Sequence, residues 1–307
     1  MHSFELVVGS NINRLLWDEC VQQSPNGLIY GQSFFLDNIS PGWSGLIGEN
    51  YDWVFPIISN KKFGFSYLYQ PPFTQQLGIY AKQGIEVPFK EIFSWLKAHY
   101  SFWEISWNKA TTALLDDPNV DTKSATNYVL PLAKDCHNIT QNYHNDLRKN
   151  LKKRMQFAMQ YQSSKDYKTC INLYVEHYAN RTPNVSKNDF DNFRKLCQFA
   201  QQNDKLICRD VLNDKGTILS TALLLLDGKR LYNMMNTTTD EGRKMSSNHL
   251  LIDSIIREFA GRDLILDFEG SDLSGVKSFY QNFGAINDPY YYIKYNNLPW
   301  PAKLFKQ

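Results

Sequence analysis

Three consecutive strand patterns joined by tight turns constrain the fold of this chain more than any other feature of its sequence. The patterns lie at residues 205–212, 217–226 and 231–238. The turns between them contain Asp-Lys-Gly and Asp-Gly, which are typical of β-hairpins when apolar runs flank them. The sequence therefore predicts that these strands pair with their neighbours in chain order.

A helix pattern and a short strand pattern follow the hairpins. Between about Ser246 and Ala260 apolar residues recur at helical spacing, and Ser246 or Ser247 is in position to cap the helix. Gly261 ends this pattern, and residues 263–268 form a short apolar run of the kind that is buried in a sheet. The order of strands, helix and strand predicts an α/β fold with mixed sheets.

The N-terminal half repeats this order of elements. Its strand, strand, helix and strand patterns lie at residues 51–58, 63–70, 89–100 and 101–107. From this repetition we infer an internal duplication, with one α/β unit at 1–135, a second at 136–307, and a basic linking helix near 140–160. Because no residue-level repeat is visible, two unrelated α/β domains are the alternative.

The composition excludes several classes of protein. The chain has 307 residues, 43% of them apolar, so it can bury a substantial core. Its net charge of +2 argues against a protein whose main task is electrostatic binding of nucleic acid. The five cysteines have no CxxC spacing, so we expect reduced thiols and no metal site. Without a signal peptide pattern or an apolar run of about 20 residues, we expect a cytoplasmic protein with no membrane span.

Three stretches resemble the FemABX-like family of acyl and aminoacyl transferases, which are built from tandem units of the GNAT N-acyltransferase fold. Residues 127–158 contain a Leu-Pro-Leu turn followed by a basic helix, and residues 246–272 contain the helix and strand that follow the donor loop. Residues 275–285 carry the Gly-Val, Phe-Tyr and Phe-Gly pairs of the family's ending, and this is the most specific match. The resemblance implies two tandem GNAT-like units.

The resemblance also implies an activity. It implies transfer of an acyl or aminoacyl group to an amine, in cell-envelope or polysaccharide precursor metabolism, from a carrier bound where the second sheet splays open. In the FemABX proteins proper the donor is an aminoacyl-tRNA and the acceptor is a peptidoglycan precursor, whereas other GNAT-like members use acyl-CoA. No permanently bound cofactor is implied, and the acceptor is a small-molecule or peptide amine. The alternative is a non-catalytic ligand-binding or scaffold protein on a degenerate GNAT frame.

The donor-binding candidates lie near the predicted helix start and on the basic helix. Acyl-CoA enzymes of this fold hold pyrophosphate on bare backbone N–H groups in a Gln/Arg-x-x-Gly-x-Gly/Ala turn. The corresponding stretch here has one glycine, Gly242, and its Asp240 and Glu241 would oppose an anion, so a solvated loop capped by Ser246 is the alternative. The candidates are Asn236, Arg243, Ser246, Ser247, Lys152 and Lys153. The alternative for both lysines is an ordinary solvated helix face, and the lone His249 is expected to be packed or exposed rather than catalytic.

The acceptor-binding candidates lie in the proline-containing loop that follows Tyr67. Aromatic rings and uncharged amides suit recognition of a peptide, a sugar or a nucleobase. The candidates are Tyr69, Gln70, Phe73, Gln75 and Gln76. Alternatively, the rings fill the seam between the two units and the glutamines cap strand ends.

Amine acylation needs a proton acceptor and a donor to the leaving group or oxyanion. Asp267 and Glu269 are the candidate bases, and Glu269 is preferred because it follows a predicted strand end, where sites concentrate in α/β sheets. Lys277 and Tyr280 are the candidate donors near the leaving group. Asp267 and Ser271 are expected to be structural, as a strand cap and a helix N-cap.

Overall fold

The computed structural model describes residues 4–111, 119–178, 184–270, 273–300 and 303. The chain divides into two compact units, which we call unit 1 (Met1–Ala125 with Pro289–Gln307) and unit 2 (Thr126–Asp288). No helix within the described residues is long and apolar enough to cross a membrane.

The described residues of unit 1 form two sheets and three α-helices. Its strands are β1 (Phe4–Val8), β2 (Ser44–Gly48), β3 (Trp53–Ile57), β4 (Ser59–Lys62), β5 (Phe65–Tyr69), β6 (Tyr80–Ala81), β7 (Phe102–Trp107), β8 (Val120–Ala125) and β16 (Tyr290–Asn296). Its helices are α1 (Arg14–Gln23), α2 (Ser33–Ile39) and α3 (Phe89–His99). The strand orders are β1-β2-β3-β6 and β4-β5-β7-β16-β8.

Unit 2 contains one seven-stranded sheet. Its strands are β9 (Tyr128–Pro131), β10 (Met159–Ser164), β11 (Leu206–Asn213), β12 (Ile218–Leu226), β13 (Arg230–Thr238), β14 (Ile265–Asp267) and β15 (Ile286–Asn287). Its helices are α4 (Cys136–Thr140), α5 (Asn145–Lys153), α6 (Tyr167–Tyr178), α7 (Lys187–Gln202), α8 (Asp240–Lys244), α9 (Ser247–Phe259) and α10 (Ser274–Asn282). The strand order is β10-β11-β12-β13-β14-β9-β15.

The strand pairing predicted for the C-terminal half is confirmed. Strands β11, β12 and β13 pair antiparallel in chain order, as the turn residues between them favour. Helix α9 buries Leu251, Ile255 and Ile256 completely, in the register expected for one apolar helix face. Strand β14 then returns parallel to β13, so α9 is the crossover of a β-α-β unit.

The same order of strands recurs in both units. In unit 1, β5 pairs in parallel with β7, and β16 and β8 follow. In unit 2, β13 pairs in parallel with β14, and β9 and β15 follow. Strands β16 and β9 hold equivalent places, although each lies far in sequence from the strands beside it. This repeated order supports the internal duplication inferred from the sequence.

Candidate functional site

Strands β13 and β14 separate within the sheet of unit 2. Their parallel pairing covers three residues on each strand and ends at Tyr232 and Asp267. Strand β13 continues to Thr238 and keeps its pairing with β12 as far as that residue. Among the described residues, no strand pairs with this edge of β13 beyond Tyr232, and the sheet opens at this point.

A buried ion pair lies where the two strands separate. Asp267 is completely buried, and its Oδ2 lies 3.0 Å from Nη1 of Arg230. The same carboxylate accepts hydrogen bonds from Nδ2 of Asn127 at 3.2 Å and from the backbone N–H of Glu269 at 3.0 Å. Because these three donors occupy the carboxylate, Asp267 has a structural role, as the sequence indicated.

A cavity of about 820 Å³ opens beside the free part of β13. Four elements form its wall: α6, β13, the segment from α8 into α9, and the region of α10. The lining residues are Tyr174, Tyr178, Asn236, Thr238, Gly242, Arg243, Ser246, Asn248, His249, Leu273, Gly275, Val276, Phe279 and Tyr280. Aromatic rings with a few uncharged polar groups are the usual lining of a small-molecule site.

Several polar atoms in this wall have no protein partner. Nδ2 of Asn236, Oδ1 of Asn248 and Nδ1 of His249 are buried, and none makes a hydrogen bond within the described residues. An unpaired buried polar atom costs about 1–3 kcal/mol, and such groups are uncommon in native proteins. Their presence in one cavity indicates a place where a polar ligand can supply the missing partners.

The start of α9 faces the same cavity. Ser246 occupies the N-cap position, but its backbone is left-handed, with φ of 58°, and its side chain makes no capping hydrogen bond. Ser246 therefore holds the predicted N-cap position without making the capping hydrogen bond. The first N–H groups of a helix have no intrahelical acceptor and carry partial positive charge, so this end favours a negatively charged or strongly polar ligand group.

The stretch that precedes α9 is the short helix α8 and not the solvated loop considered above. Thr239 caps it by accepting a hydrogen bond from the backbone N–H of Gly242 at 3.1 Å. The backbone N–H groups of Arg243, Met245 and Ser246 donate to carbonyls within the same segment. These four backbone N–H groups, which a phosphate-binding loop would present to its ligand, thus already make hydrogen bonds within the protein.

Gly242 is required for packing. A Cβ atom at this position would overlap the carbonyl oxygen of Leu219 and the hydroxyl of Ser247. The close approach of α8 to β12 explains the glycine without any phosphate.

Replacing Gly242 by alanine is expected to destabilise unit 2 by about 1–3 kcal/mol, because the methyl group overpacks a site closed by backbone. Urea denaturation measures this change. Gly275→Ala is the matched control, since a Cβ atom there meets nothing within 4 Å, and it should be neutral or stabilising by about 0.5–1 kcal/mol. Equal stabilities for the two variants would contradict this role for Gly242.

The predicted catalytic residues occupy different environments. Tyr280 lines the cavity and stacks on Phe268 with ring centroids 4.5 Å apart. Burial, aided by the nearby carboxylate of Glu269, raises the pKa of Tyr280, so its hydroxyl stays protonated. Glu269 is half-buried, with a left-handed backbone, and lies outside the cavity lining. Lys277 is exposed on α10 and also lies outside the lining.

The predicted donor-binding residues are brought together only in part. Asn236, Arg243 and Ser246 line the cavity. Arg243 forms an ion pair with Asp240 and donates a hydrogen bond to the hydroxyl of Tyr178 at 3.3 Å. Ser247 is buried behind this surface, against Gly242. Lys152 and Lys153 are exposed in the last turn of α5, outside the lining.

The predicted acceptor-binding residues all lie in unit 1. Tyr69 and Gln70 line a smaller cavity of about 230 Å³. The amide of Gln70 accepts from the backbone N–H of Ser106 at 3.2 Å and donates to the carbonyl of Thr74 at 2.9 Å, so it fixes its own loop.

The other members of this set are also held within the loop. Gln76 is buried and donates to Oε1 of Gln75 at 2.8 Å. Phe73 has a left-handed backbone, with φ of 60°. The acceptor-binding role of these residues stays a prediction.

The sequence predictions did not include His249, Tyr174, Tyr178 or Phe279, which also line the cavity. His249 is half-buried and lines the cavity, and its position three residues after Ser246 is the one signal that places it on the first turn of the helix. Ser271, the predicted cap of the next helix, lies outside the described residues. Within the described residues no group of three or more His, Cys, Asp or Glu could hold a metal ion.

A family comparison identifies part of the chain. Residues 140–276 match the family model of the acetyltransferase (GNAT) domain. The match covers every residue of the cavity lining except Phe279 and Tyr280, so most of the lining lies in the segment that matches the GNAT model. The predicted likeness to the FemABX-like GNAT proteins is confirmed.

Solved structures extend this likeness to the whole chain. The chain is similar to FemX, with 13% identity, a TM-score of 0.67 and coverage of 98% of this chain and 99% of that one. It is also similar to a tandem GNAT protein from the clavulanic acid biosynthesis pathway (9% identity, TM-score 0.54, 95% and 98% covered). A third similar structure is the C-terminal domain of a putative lysylphosphatidylglycerol synthetase from Agrobacterium fabrum (10% identity, TM-score 0.51, 94% of both chains covered). No curated protein sequence matches the chain. The predicted fold of two tandem GNAT-like units is confirmed.

Proposed function

We propose that this protein transfers an acyl or aminoacyl group from a carrier to an amine, with the acyl end of the donor in the cavity of unit 2. The observation that supports this proposal best is the position of the cavity. It opens where β13 and β14 separate, which is where the family resemblance places the carrier. It also lies beside the uncapped start of a 13-residue helix, which suits a polar or anionic part of the donor.

The cavity offers the groups that this reaction needs. The amine nitrogen forms a bond to the carbonyl carbon of the donor, and the bond from that carbon to the oxygen or sulfur of the carrier breaks. The leaving atom then needs a proton, and the hydroxyl of Tyr280, which lines the cavity, can give one. Unpaired polar atoms such as Nδ2 of Asn236 can hold the donor in position.

Of the two donor classes, we infer that aminoacyl-tRNA is preferred to acyl-CoA. A pyrophosphate needs several free backbone amides, and four amides of the segment 242–246 are engaged in hydrogen bonds of their own. A carrier that is held through many phosphates spread over a larger surface does not depend on this one turn. Acyl-CoA is the second candidate, since Arg243 and the start of α9 lie together at the cavity.

A transfer assay with purified protein tests the proposal. The donors are labelled acetyl-CoA, a long-chain acyl-CoA and tRNA charged with labelled amino acids, and the acceptors are a panel of peptide and amino-sugar amines. We expect a new amide product, detected by mass spectrometry, with a charged tRNA as its source. Product from acyl-CoA alone would overturn the inferred donor and leave acyl transfer standing.

Thermal shift separates an enzyme from a scaffold protein. A ligand that binds only the folded state raises the melting temperature, so at least one of these donors should stabilise the protein. A folded sample that no donor stabilises, and that gives no product, would favour the scaffold alternative.

The role predicted for Lys152 and Lys153 is tested by charge reversal. If these residues contact tRNA phosphates, the Lys152→Glu/Lys153→Glu variant should bind charged tRNA at least about tenfold more weakly and with a smaller salt dependence. The matched control is Lys61→Glu/Lys62→Glu, an adjacent exposed pair on β4 of unit 1. Equal weakening in both variants would indicate only a non-specific charge effect and would contradict the assigned role.

A further inference from the structure

His249 lies in the first turn of α9 and lines the cavity of unit 2. Its ring packs edge-on against the ring of Phe279, with centroids 5.0 Å apart and an interplanar angle of 76°. Its Nδ1 atom is buried and makes no hydrogen bond within the described residues. A buried imidazole normally has its tautomer fixed by a hydrogen bond, so this nitrogen is left to receive a proton from a ligand.

The surroundings of His249 favour its neutral form. The titratable groups that share its cavity are Arg243 on α8, Tyr174 and Tyr178 on α6, and Tyr280 on α10, and no carboxylate of the described residues belongs to the lining. Burial lowers the pKa of His249, because nothing nearby compensates for desolvation of a positive charge. At neutral pH the ring is therefore an unprotonated base.

The pKa of Tyr280, which lines the same cavity, is shifted in the opposite direction. Burial and the carboxylate of Glu269 raise its pKa. A group that can accept a proton and a group that can give one, both lining the same cavity, are what acid–base catalysis requires. The pair lies on two different elements, α9 and α10, that face one cavity.

We propose that His249 is the general base of the transfer and takes the proton of the acceptor amine as its nitrogen attacks the donor carbonyl. This inference rests on the proposed function. The acceptor enters as an amine that has lost its first proton to solvent, the new C–N bond forms, and the second proton passes to the imidazole. The bond from carbon to the carrier breaks, and the leaving atom takes the proton of Tyr280. His249 then releases its proton to solvent and Tyr280 regains one from solvent, so both groups return to their starting states.

This assignment places the base on α9. Glu269, the base predicted from the sequence, then acts only through its effect on Tyr280. The carboxylate of Glu269 lies outside the cavity lining and acts on Tyr280 by its charge. The two candidates differ in a measurable way. A histidine base gives a rate that increases with pH through a value near or below that of ordinary histidine, whereas a carboxylate base gives an inflection in the acidic range.

The test compares His249→Gln and His249→Ala with the control His137→Gln, which alters an exposed histidine on α4. The first two variants should lose about a hundredfold to ten-thousandfold in single-turnover rate, while donor affinity stays within about threefold of wild type. The rise of kcat/KM with pH that the wild type shows below the ordinary histidine pKa should disappear. Added imidazole should restore part of the activity of His249→Ala and none of that of His137→Gln.

The outcomes are distinguishable. An active wild type whose His249→Gln variant keeps the rate and the pH profile would overturn the inference and leave the proposed function intact. A wild type that transfers from no donor would overturn both. Should the variants not fold, NMR titration of ¹⁵N-histidine in the wild type decides: a pKa of His249 that is not below the ordinary value, or a ring signal that donor binding leaves unchanged, overturns the inference.

Discussion

Replacing Tyr280 by phenylalanine is expected to slow transfer by at least about a hundredfold while donor affinity changes by less than about threefold. The hydroxyl is lost, so the leaving atom must depart without a proton from the protein. The ring is kept, and with it the stacking on Phe268 at 4.5 Å, so the cavity wall should be unchanged. Single-turnover rates and donor binding by calorimetry measure the two quantities separately.

The matched control for this prediction is Tyr174→Phe. Tyr174 lines the same cavity from α6, so its substitution also removes one hydroxyl from the wall. We expect a change in rate of less than about tenfold for the control, because no transferred proton is assigned to it. Equal losses in the two variants would contradict the role of Tyr280 as the proton donor and would indicate a general effect on the polarity of the cavity.

Replacing Arg230 by methionine is expected to lower the free energy of unfolding of unit 2 by about 3–5 kcal/mol. The substitution leaves the carboxylate of Asp267, which is completely buried, without its cationic partner. The pair also fixes the point at which β13 and β14 separate. Donor binding should therefore weaken together with stability. Urea denaturation followed by circular dichroism measures the free energy of unfolding, and calorimetry measures donor binding.

Two further variants sharpen this prediction. Arg230→Met/Asp267→Leu removes the completely buried carboxylate together with its partner and should recover part of the loss. The recovery stays partial because Asp288, 3.5 Å from Nη2 of Arg230, also loses its cationic partner. Arg194→Met breaks a surface pair with Asp191 on α7 and should cost about 0–1 kcal/mol. A double variant that is as unstable as the sum of the two single variants would contradict the view that the two groups act as a pair.

Much of the fold of unit 2 could be predicted because its signals are local. The Asp-Lys-Gly and Asp-Gly turns set the pairing of β11, β12 and β13, and the spacing of apolar residues such as Leu251 and Ile255 set the buried face of α9. These patterns depend on residues a few positions apart, so they can be recognised in a single sequence.

The sheets to which β9 and β16 belong could not be predicted in the same way. Both are short strands, and alternation of apolar residues shows that a strand has a buried face but not which sheet receives it. Strand β16 pairs with β7, about 190 residues earlier, and β9 pairs with β14, about 135 residues later. Such pairings depend on the folded arrangement and on no local signal.

The candidate site was predicted in outline only. Arg243 and Ser246 are predicted from their place before a helix start and Asn236 from the end of a predicted strand, and all three line the cavity. His249 was set aside because a lone histidine carries no spacing signal, and its importance follows from burial and an unpaired nitrogen. Gly242 has a packing reason that appears only when the backbone of β12 is placed beside it.

The central claim is that the cavity of unit 2 holds the acyl donor, and donor binding to a variant with a filled cavity tests it most directly. Val276 lines the cavity on α10 and is half-buried, so Val276→Trp would occupy the space with an indole ring. Binding of charged tRNA and of acyl-CoA to this variant and to wild type is measured by calorimetry. We predict that the wild type binds at least one donor and that Val276→Trp, folded as judged by circular dichroism, binds it at least about tenfold more weakly. Equal affinities, or a folded wild type that binds neither donor, would contradict the claim.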